Sequence, residues 1–181
     1  ALIGIPIGLL GGYSKSFLED IIGRMIDIAL ATPDILIALA LAAIFGRSLV
    51  VVMISISFVW WANYARLIRG QTLQIREMDY ITAAKVVGVK PYRIMLRHIF
   101  PNTIAQTLVM LSLNLASAIL LEASLSFLGM GAQPPTPSWG SMLSTGRNYM
   151  QSAPWLSTYP GLMIVMTVLG FNLLGDGLRD I

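Results

Sequence analysis

Residues 79–101, DYITAAKVVGVKPYRIMLRHIFP, form a polar, basic island between long apolar runs, and the reading of that island decides the fold. Lys85, Lys90, Arg93 and Arg97 fall inside it, and Arg66, Arg69 and Arg76 lead up to it. Bases gathered between apolar segments are what the positive-inside rule expects of a cytoplasmic loop. Composition agrees: of 181 residues, 56% are hydrophobic and 12% charged. Ordinary soluble domains carry about 25% charged residues. A soluble chain of this length could not hide so many Leu, Ile, Val and Met under a polar exterior. The fold class is therefore all-α, a polytopic integral membrane protein.

Upstream of the island, residues 49–67 form a span whose far end carries Trp60, Trp61 and Tyr64 just ahead of Arg66 and Arg69. Aromatics followed by bases mark an interface belt passing into the cytoplasm. Gly46, Arg47 and Ser48 connect it to an earlier span over 28–45. Pro33 inside that run predicts a kink or a fresh helix start. Thr32, Pro33 and Asp34 read as N-cap, first helical residue and first-turn acid. Asp34 is also the most deeply placed acid, and an ionisable group inside a span is by default a functional candidate. From Ser16, an amphipathic lead-in lies at the interface, with Phe17, Ile21, Met25 and Ile28 on one face. Residues 1–12 are too short to cross alone, since a span takes about 20 apolar residues, and read as the tail of a partial first span. Gly4, Gly8 and Gly12 make a stripe suited to close helix packing or to dimerisation. Gly11, Gly12, Tyr13 and Ser14 are expected to break that helix.

Downstream, residues 103–121 form a span relieved by Gln106, Ser112, Asn114 and Ser117, which suit interhelical hydrogen bonds or a wet path, and Glu122 closes it. Residues 123–159 hold Pro134, Pro135, Pro137, Trp139 and Trp155 with one base, Arg147. So proline-rich a stretch is no single helix, and its low charge suits an outer loop. Trp139 and Trp155 read equally as interface anchors or as parts of a docking platform. Pro160 is expected at the first turn of a last span, 160–174, after which GDGLRDI returns to the inner side. Lys15 and Arg24 also fall inside. The organisation is one transmembrane domain over 1–181, with a cytoplasmic region at 70–101. Asp34, Asn114 and Glu122 are the candidates for a translocation path.

Within the island, Asp79 is expected to cap a short helix over 80–87, with Gly88 in the left-handed conformation that ends it. Lys90 and Pro91 start a second helix running to Phe100, and Pro101 stops it. Ala83 and Ala84 keep the first helix thin enough for a partner to approach. Lys90, Arg93 and Arg97 share one face of the second, while Ile94, Met95 and Ile99 dip toward lipid.

These residues carry a resemblance. Thr82, Ala83, Ala84, Gly88 and Pro101 stand at the intervals of the Glu-Ala-Ala, Gly, Ile-x-Leu-Pro loop of binding-protein-dependent ABC importer permeases. Thr82 replaces Glu, His98 replaces Ile and Phe100 replaces Leu. RHIFPN, EASLSFLGMGAQPPTPSWGSML and FNLLGDGLRD are similar to the C-type subunit of the dipeptide, oligopeptide and nickel group, so the resemblance runs over nearly the whole chain. It implies a MetI-like fold lacking its first helix, a multi-pass position in the bacterial inner membrane, and an importer of peptides or a small solute such as nickel. It also implies a homologous second permease, two ATPase subunits and an extracytoplasmic binding protein as partners. Thr82, Ala83, Ala84, Gly88 and Pro101 would be the ATPase-coupling residues.

The chain has no GxxxxGK[ST] phosphate loop, so ATP and Mg²⁺ are expected on separate ATPase subunits and no cofactor on this chain. Catalysis finds little material: His98 is the one histidine, cysteine is absent, and neither a Gly-x-Ser-x-Gly elbow nor a His-Glu-x-x-His pair occurs. The expectation is a permease and not an enzyme. The rival is a secondary transporter with Asp34 or Glu122 as coupling acid.

Overall fold

The computed structural model describes residues 1–14 and 17–179, and every regular element among them is helical. Ser16, Lys15 and the last two residues of the GDGLRDI tail lie outside the described residues. Among the described residues three helical stretches are each long and apolar enough to cross a membrane: Leu49–Ile75, Pro91–Phe127 and Trp155–Arg179. Large apolar side chains such as Phe58, Leu108, Met166 and Leu173 stand exposed along them, as lipid-facing positions do. The chain packs as two units, one of residues 1–32 and 60–110, the other of 33–59 and 111–181.

The first unit contains α1 (Gly4–Tyr13), α2 (Phe17–Ala31) and the second part of α4 (Leu49–Ile75). It also holds α5 (Asp79–Val86), α6 (Pro91–Ile94) and the start of α7 (Phe100–Phe127). The glycine stripe of α1 is an internal seam. A Cβ on Gly4 would lie 2.8 Å from Tyr64 Cβ, one on Gly8 2.8 Å from Ile68 Cβ, and one on Gly12 2.5 Å from Thr72 Cβ. Four-residue steps on α1 thus run along four-residue steps on α4, and only glycine lets the backbones come so close. The stripe is spent within the chain. Gly11 and Gly12 do not break α1 but lie buried in its last turn, Gly11 against Ile22.

On α2 the protein-facing residues are Gly23 and Ile26, and Phe17, Met25 and Ile28 of the face expected at the interface are exposed. One further expectation changes here. Ile94 and Ile99 do not dip toward lipid: both are fully buried, in one core with Leu9, Ile68, Ile75 and Ile81. The backbone explains how two residues five apart share a face. In an α-helix five residues advance about 500°, leaving them about 140° apart. Met95–Ile99 forms a π turn, with the Phe100 N–H reaching the Met95 carbonyl, and its wider i→i+5 ring brings the fifth residue back toward the first.

The same turn overrules Pro101 as a stop. The helix runs unbroken through Pro91–Phe127, because the local register already departs from the i→i+4 ladder that proline would interrupt. The carbonyl of His98 accepts a 2.6 Å bond from Asn102 Nδ2, and Phe100 accepts one from Thr103 Oγ1 at 2.8 Å.

The second unit holds α3 (Asp34–Phe45), the first part of α4, the rest of α7, α8 (Trp139–Gly146), a 3₁₀ turn at Arg147–Tyr149 and α9 (Trp155–Arg179). Pro33 does start a new helix, but as its N-cap, with Asp34 first inside. The 28–45 run is therefore interrupted between α2 and α3. Pro160 is not at a helix start; it lies buried inside α9, which begins five residues earlier behind Pro154. Proline at that depth leaves the Leu156 carbonyl without its helical donor. Gly146 of α8 packs on that group, a Cβ there falling 2.9 Å from the Leu156 oxygen. Ser138 caps α8 reciprocally with Ser141, which fixes Trp139 at the helix start.

Candidate functional site

The short helix α5 has two unlike faces. Ile81 is fully buried and Ala84 packs beside it, while Thr82, Ala83, Val86, Val87 and Gly88 are exposed. Asp79 is not the cap of this helix; Met78 holds that position and Asp79 is the first residue inside. The end is built as expected: Gly88 has φ +82°, and its N–H and that of Val89 close back on Lys85 and Ala84 carbonyls at 3.0 Å. Four of the five expected coupling residues, Thr82, Ala83, Ala84 and Gly88, thus gather on α5 and its terminus, Ala84 turned partly inward. Pro101 lies apart, in the first turn of α7.

Val86 and Val87, 83% and 82% exposed, join that face and were not singled out in sequence. A signal existed: with Ile81 and Ala84 three apart facing the core, residues 82, 83, 86 and 87 must face away. Small residues beside an uncovered apolar pair make a surface to which another protein can close tightly.

Behind α5 stands an ionic strut that sequence reading missed. Arg76 follows α4, its side chain 13% exposed. Its Nη1 donates to the carbonyls of Gly12 at 2.7 Å and Ser14 at 3.0 Å, and pairs with Glu19 at 3.3 Å. Glu19 also faces Arg69 at 3.7 Å, and Gly23 leaves room for that guanidinium. The backbone carbonyl of Arg76 accepts from Lys85 of α5 at 3.2 Å. Nη1 thus caps α1 and holds the start of α2 while Nε of the same guanidinium donates to Glu77 at 3.1 Å, a two-nitrogen engagement that a single ammonium nitrogen cannot copy. Gly12, Ser14 and Glu19 lie 57 to 64 residues away, so no local pattern announces them.

The candidate path residues fall in the second unit. Asn114 and Glu122 both lie on α7, eight residues and so about 80° apart round the helix, Asn114 with a buried Nδ2 lacking a partner. Glu122 Oε1 accepts a 2.6 Å bond from Ser126 Oγ. Asp34 is half-buried in the first turn of α3, on a different element from the other two. No group of three metal-ligating side chains occurs among the described residues.

A multi-pass helical chain with a bare short helix between two long spans has the architecture of a membrane permease. The chain belongs to the family described as binding-protein-dependent transport system inner membrane component, which matches residues 4–181; it is a multi-pass inner-membrane protein. It is 46% identical over 179 residues to the dipeptide transport system permease protein DppC of Alkalihalophilus pseudofirmus, covering 99% of this chain and 59% of that one. With DppC of Escherichia coli the identity is 51% over 160 residues, 88% of this chain and 53% of the relative. With the glutathione transport system permease protein GsiD of Pectobacterium atrosepticum it is 43%, over 99% and 60%. The chain therefore spans somewhat over half the length of these relatives.

Proposed function

We propose that this chain forms the membrane core of a permease subunit in an ATP-driven importer, lining part of the path for peptides or a related small solute such as nickel. The observation that carries the reading is the family match over 4–181, together with relatives named for dipeptide and glutathione transport. ATP is bound with Mg²⁺ and hydrolysed on two separate ATPase subunits, a homologous permease completes the pore, and an external binding protein delivers cargo. The permease breaks no bonds.

The exposed face of α5 supports a docking role for Thr82, Ala83, Ala84 and Gly88, widened by Val86 and Val87. Ile81, Ile94 and Ile99 lock α5 and the π turn into one core, and Arg76 braces that core to α1 and α2. A displacement applied at α5 is then passed to α4 and α7 as a rigid-body movement, and alternating access follows if ATP favours one of two packings. The test is uptake of labelled dialanine by cells carrying the complete transporter, with chelated nickel as competitor. Accumulation should disappear when the ATPase subunits or the binding protein are removed. Undiminished uptake without the ATPases would overturn the reading.

A further inference from the structure

The second unit contains a cavity of about 500 Å³ between α4, α7 and the start of α8, in the size range of small-molecule sites. Its walls are apolar, with Met53, Ile56, Ile119 and Met142 among them, and its one ionisable group is Glu122. That carboxylate is placed rather than loose. Ser126, almost fully buried, donates to Oε1 at 2.6 Å and accepts the Ala132 N–H at 3.1 Å. The hydroxyl thereby ties Glu122 to the turn after α7, where Gly129 has φ +77°. Among the described residues no cation pairs with Glu122. A carboxylate facing apolar walls without a counter-ion is costly, so the cavity is short of one positive charge.

We propose that this cavity receives the α-ammonium end of a peptide, with Glu122 as its counter-ion, Trp139 beside the charge and the adjoining apolar side chain against the methionines. The inference rests on the importer reading and names a cargo contact within it. A hard divalent cation such as Ca²⁺ or Mg²⁺ fits poorly, because it takes six or more oxygen ligands, and a transition metal finds no imidazole or thiolate in the lining. An amphipathic monocation fits each wall: carboxylate and indole face suit an ammonium, and Met53 and Met142 adapt to side chains of different shape. Such a site reads the end common to all unblocked peptides and little of their sequence.

The test uses the complete transporter in nanodiscs without binding protein, and alanyl-benzoylphenylalanine as photoprobe beside its N-acetyl form. The free-amine probe should label residues 115–122 or 139–146, and acetylation should cut that labelling about tenfold. Glu122→Gln should cut labelling by the free-amine probe as much and leave the acetylated probe unchanged. Equal labelling by both probes, as a lipid-like apolar groove would give, overturns the proposal, and so does labelling by the free amine that ignores Glu122→Gln. If that variant does not assemble, the two probes on unaltered protein decide alone. Where the intact transporter imports no peptide, the importer reading for peptides fails; where it imports peptide but labelling ignores the amine, this inference alone fails.

Discussion

Gly88 and Gly12 show how one residue type serves opposite needs. A Cβ on Gly12 would collide with α4, whereas one on Gly88 meets nothing within 4 Å; there the constraint is the φ of +82° alone. Left-handed backbone costs an ordinary L residue about 1–2 kcal/mol and asparagine less. Gly88→Val is therefore expected to distort the end of α5, uncouple transport and reduce ATPase co-purification, while Gly88→Asn keeps most of both. Equal behaviour of the two variants would remove backbone conformation as the reason for glycine. Arg76 is a different residue-scale case, because its worth lies in partners. Charge-assisted hydrogen bonds contribute about 1.5–3 kcal/mol each, and Arg76→Lys keeps the charge but loses the fork. The purified complex should melt several degrees lower with Arg76→Lys, and lower still with Arg76→Gln, as followed by thermal unfolding. In sequence Arg76 was one base among seven; its role depends on Gly12, Ser14 and Glu19 coming near only after folding.

At the scale of elements, the helices were legible wherever apolar runs set them, and the Gly88 bend was legible because one residue type fits it. Prolines misled. In sequence Pro101 and Pro160 have the look of punctuation, yet both sit in continuous helix: at Pro101 a π turn has already shifted the hydrogen-bond register, and at Pro160 the packing of Gly146 accommodates the region of the freed carbonyl. Neither compensation is visible one residue at a time. The two-faced character of α5 is readable from spacing, and it extends beyond the alanines and glycine to Val86 and Val87. It now gives a paired prediction. Val86→Asp, on the exposed face, should leave the subunit folded and inserted while weakening ATPase capture tenfold or more, about 1.4 kcal/mol. Ile81→Asp should instead lower the amount of folded subunit, because a carboxylate placed in a sealed apolar core has no partner. Capture of ATPase on immobilised transporter, normalised to inserted subunit, separates the two, and normal capture by Val86→Asp would remove α5 as the docking element.

For the whole molecule the question is what drives it, and the acids bear on that. A gradient-driven transporter needs a carboxylate that loads and releases a proton along a chain of groups crossing the bilayer. Asp34 lies in the first turn of α3, where a negative charge favours the helix N-terminus, and Glu122 is tied to Ser126 beside an apolar cavity. Both have local roles that call for no relay. An ATP-driven machine instead needs a stiff link from an external motor to the spans, and the first unit supplies one in the glycine seam, the isoleucine core and the Arg76 strut. In proteoliposomes holding the complete transporter with a binding protein outside and ATP within, dialanine uptake should require ATP and change less than about twofold on adding a protonophore. Asp34→Asn should retain most of that uptake, since it keeps the side chain's size and a polar head and changes the helix-terminus charge contribution by about 0.3–1 kcal/mol. Uptake that collapses with the proton gradient while ATP is held constant would transfer the driving role to the acids and leave α5 without a motor to serve.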